Sequence, residues 1–309
     1  MDGSLPSKIK ALKSAKNAVI LAHYYQESNI QEAADFVGDS LELARKAAKT
    51  DANIIVFAGV YFMAETAKIL NPTKKVLLPD LAAGCSLADN CEVEPMKKLI
   101  QKHPDALVVS YINCSAEIKA LSDYVCTSSN ALEIIQSIPK GRQIIFAPDK
   151  NLGHYLMLKS DRNLILWEGS CVVHEAFSME KLIRLKKKYP EAQIIAHPES
   201  EPNFLKFAHF VGSTAKMIRY VGEHAAETFI VATEAGILHE MQKKVSEKIL
   251  IPAPAKEDNS CACSECAYMK VNTLEKLYRC LIDESPEIIL DENLRQEASK
   301  PIYRMLEFD

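Results

Sequence analysis

Residues 22–40 read AHYYQESNIQEAADFVGDS, residues 110–128 read SYINCSAEIKALSDYVCTS, and residues 196–214 read AHPESEPNFLKFAHFVGST. Placed in register, His23, Tyr111 and His197 share a first column, and Ser40, Ser128 and Thr214 share a last one, 17 residues on in every copy. Between them run Ala34/Ser122/Ala208, Phe36/Tyr124/Phe210 and Val37/Val125/Val211. Three related units imply one architecture built in triplicate, with function expected where the units meet.

Each copy is preceded by an apolar, β-like run: Ala18-Val19-Ile20-Leu21, Leu107-Val108-Val109 and Ile194-Ile195. A polar loop follows, then helical spacing, then a small-residue turn such as Gly38-Asp39-Ser40. A second run comes next in every unit: Ile54 to Ala58, Ile144 to Ala147 and Phe229 to Ala232. A third run is Val76-Leu77-Leu78, Leu164-Ile165-Leu166 and Ile249-Leu250-Ile251. Continuous apolar runs alternating with helical patterns predict buried parallel strands in βαβ units. The expected fold is therefore α/β: three similar domains of parallel sheet flanked by helices. Their expected limits are 1–87, 88–173 and 174–272, with the tail 273–309 packing on the first unit.

At 309 residues the chain can bury a large core, roughly three quarters of its unfolded surface. A net charge of −4 favours neither nucleic acid nor an anionic membrane. The N-terminus lacks the apolar stretch of a signal peptide, and no run approaches the ~18 apolar residues of a membrane span. A cytoplasmic protein is expected. Its nine cysteines, an odd number, read as reduced thiols or metal ligands rather than as a disulfide framework.

Beyond the third run, every unit reaches a cysteine: Cys85, Cys171, and one of Cys261, Cys263 or Cys266. Threefold symmetry would bring these loops to one point, where three thiolates suit zinc or an iron–sulfur cluster. Ordinary burial of a small residue would also explain a single cysteine, but recurrence in all three units favours ligation. Cys91, Cys114, Cys126 and Cys280 have no counterparts and read as packing residues.

The head loops carry His23, Tyr24, Tyr25, Tyr111, Asn113, His197 and Glu199 at the expected carboxyl ends of parallel strands, where open α/β sheets bind ligands. His174, three residues past Cys171, belongs near the same centre. Ser40, Ser128, Ser213 and Thr214 read as N-caps of the helices that follow, and helix N-termini attract anions. With almost no Lys or Arg in these motifs, a compact, multiply charged small molecule would be held by N–H groups, histidines and the metal.

These motifs resemble those of the quinolinate synthase family, the A-type proteins of de novo NAD biosynthesis, over essentially the whole chain. The resemblance rests on His23-Tyr24-Tyr25-Gln26, Ala34 to Ser40, Phe62-Met63-Ala64-Glu65, Ile69 to Pro72, Tyr111-Ile112-Asn113, Cys126-Thr127-Ser128, Pro148 to Gly153, Cys171 to His174, His197-Pro198-Glu199, Val211 to Thr214 and Asn272-Thr273-Leu274. It implies three α/β domains about a pseudo-threefold axis and a [4Fe–4S] cluster on Cys85, Cys171 and Cys266, leaving one iron open as a Lewis acid. The implied reaction condenses iminoaspartate with dihydroxyacetone phosphate to quinolinate, phosphate and water, a transferase-type step. Tyr25, Glu199 and His197 would then move protons. His23, Ser40, Tyr111, Asn113, Ser128, His174, Ser213 and Thr214, with His197 and Glu199, would hold the substrates. An oxidase or dehydrogenase making iminoaspartate is the implied partner. The family usually has Asn where this chain has Tyr24, a side chain expected to point away from substrate. Cys261 and Cys263 are not required by the family pattern; oxidative pairing with Cys266 would release the cluster. Two other readings stay open: a non-catalytic iron–sulfur or zinc protein, and a scaffold without a cluster.

Overall fold

The computed structural model describes residues 3–256 and 264–308. Its architecture is α/β, with three parallel four-stranded sheets flanked by helices. The first sheet holds β1 (Ala18–His23), β2 (Phe36–Gly38), β3 (Ile54–Ala58) and β4 (Lys75–Leu77) in the order β2-β1-β3-β4. The second has β5 (Leu107–Tyr111), β6 (Tyr124–Cys126), β7 (Ile144–Ala147) and β8 (Ile165–Leu166) in the order β6-β5-β7-β8. The third has β9 (Gln193–Ala196), β10 (Phe210–Val211), β11 (Thr228–Ala232) and β12 (Ile249–Pro252), again with the second strand at one edge.

Each sheet thus has one strand more than the apolar runs foretell. The extra members are β2, β6 and β10, edge strands of two or three residues lying inside what reads as helical spacing. So short a segment carries no period-two signal. What pins it is the residue before it. Asp35 Oδ2 accepts the N–H of Ile20 at 2.8 Å, Asp123 Oδ2 accepts that of Val108 at 2.8 Å, and His209 Nδ1 accepts that of Ile194 at 2.9 Å. The same device therefore fixes the same register in all three units: His23 pairs with Gly38, Tyr111 with Cys126, and Ala196 with Val211. That register sets the first and last columns of each repeat side by side at one end of the sheet. The strand order reverses between the first and third strands, so this end is also the switch point where α/β sheets bind ligands.

The central strands are buried on both faces, which is why they read as unbroken apolar runs. The tail departs from expectation. Helix Leu274–Asp283 lies on helix Leu5–Lys16 and β3 of the first unit, but helix Glu292–Leu306 lies mainly on helix Ala116–Ala120 and β6 of the second. Ala298, Ile302 and Met305 enter a core shared by both units, so the tail staples one to the other. Among the described residues, no helix is long and apolar enough to cross a membrane.

Candidate active site

All three units open onto one cavity of ≈ 70 Å³. The first contributes His23, Tyr25, Ser40 and Cys85; the second Tyr111, Asn113, Ser128 and Cys171; the remainder comes from His174, His197, Glu199, Thr214 and Cys266. Of the residues expected to hold substrate or metal or to move protons, Ser213 alone is absent from the described lining. It is buried, caps helix Thr214–Glu223 and lies 2.9 Å from the Ser129 hydroxyl, which donates to Asp39 at 2.8 Å.

The capping pattern corrects the expectation for the other three hydroxyls. Asp39, not Ser40, caps helix Ser40–Lys49, in a capping box closed by Glu42. Asn130 precedes helix Ala131–Ser137, two residues beyond Ser128. Ser40 and Thr214 are the first residues inside their helices. A capping hydroxyl is spent on backbone N–H groups, whereas Ser40 and Thr214 leave that task to their neighbours and line the cavity beside those helix starts.

One chain of close polar contacts crosses the site, hydrogen-bonded except between His174 and Glu199, whose atoms lie close without hydrogen-bond geometry. The Tyr111 hydroxyl donates to Glu199 Oε1 at 2.5 Å. Glu199 Oε2 lies 3.2 Å from His174 Nδ1, His174 Nε2 lies 2.9 Å from Thr233 Oγ1, and that hydroxyl is 2.6 Å from the Tyr25 hydroxyl. His197 flanks the chain, with Nδ1 at 3.5 Å from Glu199 Oε1 and Nε2 at 3.1 Å from Ser128 Oγ.

Burial sets the protonation of these groups. It pushes the His23 and His197 imidazoles down to about 3, so both are neutral at physiological pH. His23 Nδ1 accepts the N–H of Tyr25 at 3.2 Å, which places the ring proton on Nε2, a neutral donor for the cavity. Tyr25 and Tyr111 are raised well above the phenol range by burial and by Glu199. For Glu199, burial opposes ionisation, but His174, His197 and the bond from Tyr111 outweigh it and hold the carboxyl low. Asp149, next to it, is driven well upward by burial and by the Glu199 charge. Their mutual repulsion and different partners thus drive the two acids in opposite directions. Among the described residues, no Lys or Arg lines the cavity.

The three thiols share one local design. Cys85, Cys171 and Cys266 are each the N-cap of a short helix, Ser86–Asn90, Val172–Glu175 and Ala267–Lys270. None of the three sulfurs accepts a cap hydrogen bond, but the N–H groups of Leu87 and Ala88, of His174, and of Tyr268 and Met269 are near enough to favour the charged form. Such N–H groups favour thiolate. Burial overrides them, pushing Cys85 up to about 12 and Cys171 and Cys266 upward too, with mutual repulsion adding to the rise. Three half-buried thiols that destabilise one another's charge, each with N–H groups nearby, fit a cationic metal centre. A second donor set overlaps it: ligand atoms of Cys171, His174 and Glu199 lie within 4.8 Å of one another. Cys91, Cys114, Cys126 and Cys280 are buried away from the cavity, while Cys261 and Cys263 lie outside the described residues.

Tyr24 is not among the cavity residues. Its hydroxyl donates to Glu42 Oε2 at 3.0 Å and its ring enters the core of the third unit. Thr233, Glu234 and Asp149 escaped the sequence reading. All three stand one or two places past the alanine that ends the second apolar run, but the first unit has Gly59 and Val60 there, so no polar column recurs.

Fold and site together define an α/β enzyme with a single buried acid–base centre, walled by thiols and assembled from three repeated units. The Quinolinate synthetase A protein family model matches residues 7–307, and the chain belongs to that family. It is 60% identical to the quinolinate synthase of Chloroherpeton thalassium over 97% of this chain and 93% of that one. Identity to the quinolinate synthase of Microcystis aeruginosa is 60%, with the same coverage. For that of Nostoc punctiforme it is 59%, over 99% of this chain and 95% of that one.

Proposed function

We propose that the protein makes quinolinate for NAD biosynthesis by condensing iminoaspartate with dihydroxyacetone phosphate, releasing phosphate and water. Cys85, Cys171 and Cys266 would hold a [4Fe–4S] cluster. When bound, such a cluster supplies an iron free of protein ligands, a Lewis acid for a carboxylate or hydroxyl. The observation that carries the reading is the Tyr25–Thr233–His174–Glu199–Tyr111 chain, whose Tyr25, His174, Glu199 and Tyr111 line one cavity with the three thiols while Thr233 links them from behind it.

The residues divide the work by charge and donor type. Glu199, held as an anion, takes a proton from substrate carbon or hydroxyl, and Tyr25 at the other end of the chain gives or receives one. Thr233 and His174 carry the proton between them, so neither end need exchange with solvent. His23 Nε2–H, Asn113, Ser128 and the helix starts at Ser40 and Thr214 grip carboxylate and phosphate oxygens without adding a cation. Such preorganised neutral donors stabilise developing negative charge most where water is excluded. Because the imine hydrolyses readily, an oxidase or dehydrogenase in the same cytoplasm would supply it.

Glu199→Gln tests the assignment. It should lower quinolinate formation roughly 10²- to 10⁴-fold, the usual worth of a general base, while iron and sulfide per chain stay at the wild-type level. Undiminished turnover would overturn the role. Loss of iron instead would favour the second reading, in which Cys171, His174 and Glu199 ligate a single cation.

A further inference from the structure

Glu234, two residues past β11, is fully buried. Among the described residues it faces three donors and no acceptor. Its Oε1 accepts the N–H of Cys266 at 3.2 Å and lies 3.1 Å from Lys270 Nζ, while Oε2 accepts the N–H of Gly236 at 2.7 Å. Lys270 Nζ donates in turn to the carbonyl of Tyr25 at 3.0 Å. One pair, a buried Glu234 and a half-buried Lys270, therefore joins the loop of a thiol in the third unit to the loop that presents Tyr25 in the first. The seam around it is tight. A Cβ on Gly236 would come within 2.8 Å of Glu234 Oε2 and 2.9 Å of the Tyr24 carbonyl oxygen.

A buried ion pair adds little net stability, because desolvation offsets attraction; its better attested use is to fix an arrangement. We propose that Glu234 and Lys270 are positioning residues that clamp the Cys266 loop to the Tyr25 loop, so that retention of the metal centre and the placement of Tyr25 depend on this one pair. This rests on Cys266 being an iron–sulfur ligand. The chemistry requires glutamate: a carboxylate only accepts, whereas glutamine would turn its NH₂ toward a donor.

Anaerobically reconstituted Glu234→Gln and Lys270→Gln should each release iron to a ferrous chelator 10- to 100-fold faster than wild type at pH 8, the scale of losing an outer-shell partner. The melting temperature of the metal-free form should stay within a few degrees of wild type. Two variants guard against one failing to fold. Wild-type release rates in both would overturn the clamp, as would a lowered melting temperature with unchanged release. A wild-type protein that takes up no iron would overturn both the clamp and the reading beneath it.

Discussion

Thr233→Val removes one hydroxyl and keeps the side-chain shape. That hydroxyl lies 2.6 Å from the Tyr25 oxygen and 2.9 Å from His174 Nε2. His174 is buried, so its nitrogen would be left without a partner at a cost of about 1–3 kcal/mol. Tyr25 borders the cavity, where water can replace the lost partner, so its share is smaller. The sum stays below the roughly 5–15 kcal/mol that holds a domain folded. The variant should therefore be folded at 25 °C, and its activity reports on the site. With the path between Tyr25 and Glu199 cut, quinolinate formation should fall roughly 10²- to 10⁴-fold. Thr233→Ser keeps the hydroxyl and should recover most of that loss. The assay is anaerobic turnover of both substrates with quinolinate measured chromatographically, alongside thermal unfolding and iron content. Activity within twofold of wild type in Thr233→Val, with a normal iron content, would refute the relay.

Two further outcomes follow from the same geometry. Asp149 is raised in the folded state, so the stability from its bound proton is complete below about pH 3.8 and is lost as pH rises toward the folded-state value. Asp149→Asn cannot ionise; relative to wild type it should gain up to about 1.4 kcal/mol per pH unit as pH rises above the unfolded value, read by urea unfolding at a series of pH values from about 4 upward, and a pH-independent difference would count against the upward shift of Asp149. Tyr24→Phe should cost roughly 1 kcal/mol for the bond to Glu42 and leave kcat within about twofold; a large fall in kcat would mean that Tyr24 reaches the substrate.

The parallel sheets were legible because both faces of their central strands are buried, leaving the runs Ile54 to Ala58, Ile144 to Ala147 and Phe229 to Ala232 apolar throughout. The edge strands were not, since Phe36–Gly38 and its counterparts are defined by pairing and by the Asp35, Asp123 and His209 caps, contacts between residues 15 apart in the chain. Site residues in recurring columns, such as His23, Tyr111 and His197, could be read because the scaffold repeats them. Thr233 and Asp149 could not: each acts through partners from another unit or a distant loop, and neither has a matching polar residue in the first unit. Capping was misread by one place at Ser40, where Asp39 and Glu42 form the box, because Asp and Ser are equally good caps and stand side by side.

Whether three repeated units enclose an iron–sulfur centre that makes quinolinate is decided most directly by one preparation. Protein purified without oxygen would be analysed for iron and sulfide, then given iminoaspartate and dihydroxyacetone phosphate. Iron and sulfide in equal amounts, about four of each per chain, with quinolinate formed in proportion to them, is the predicted result. Iron-free protein that turns over both substrates at the same rate would contradict it.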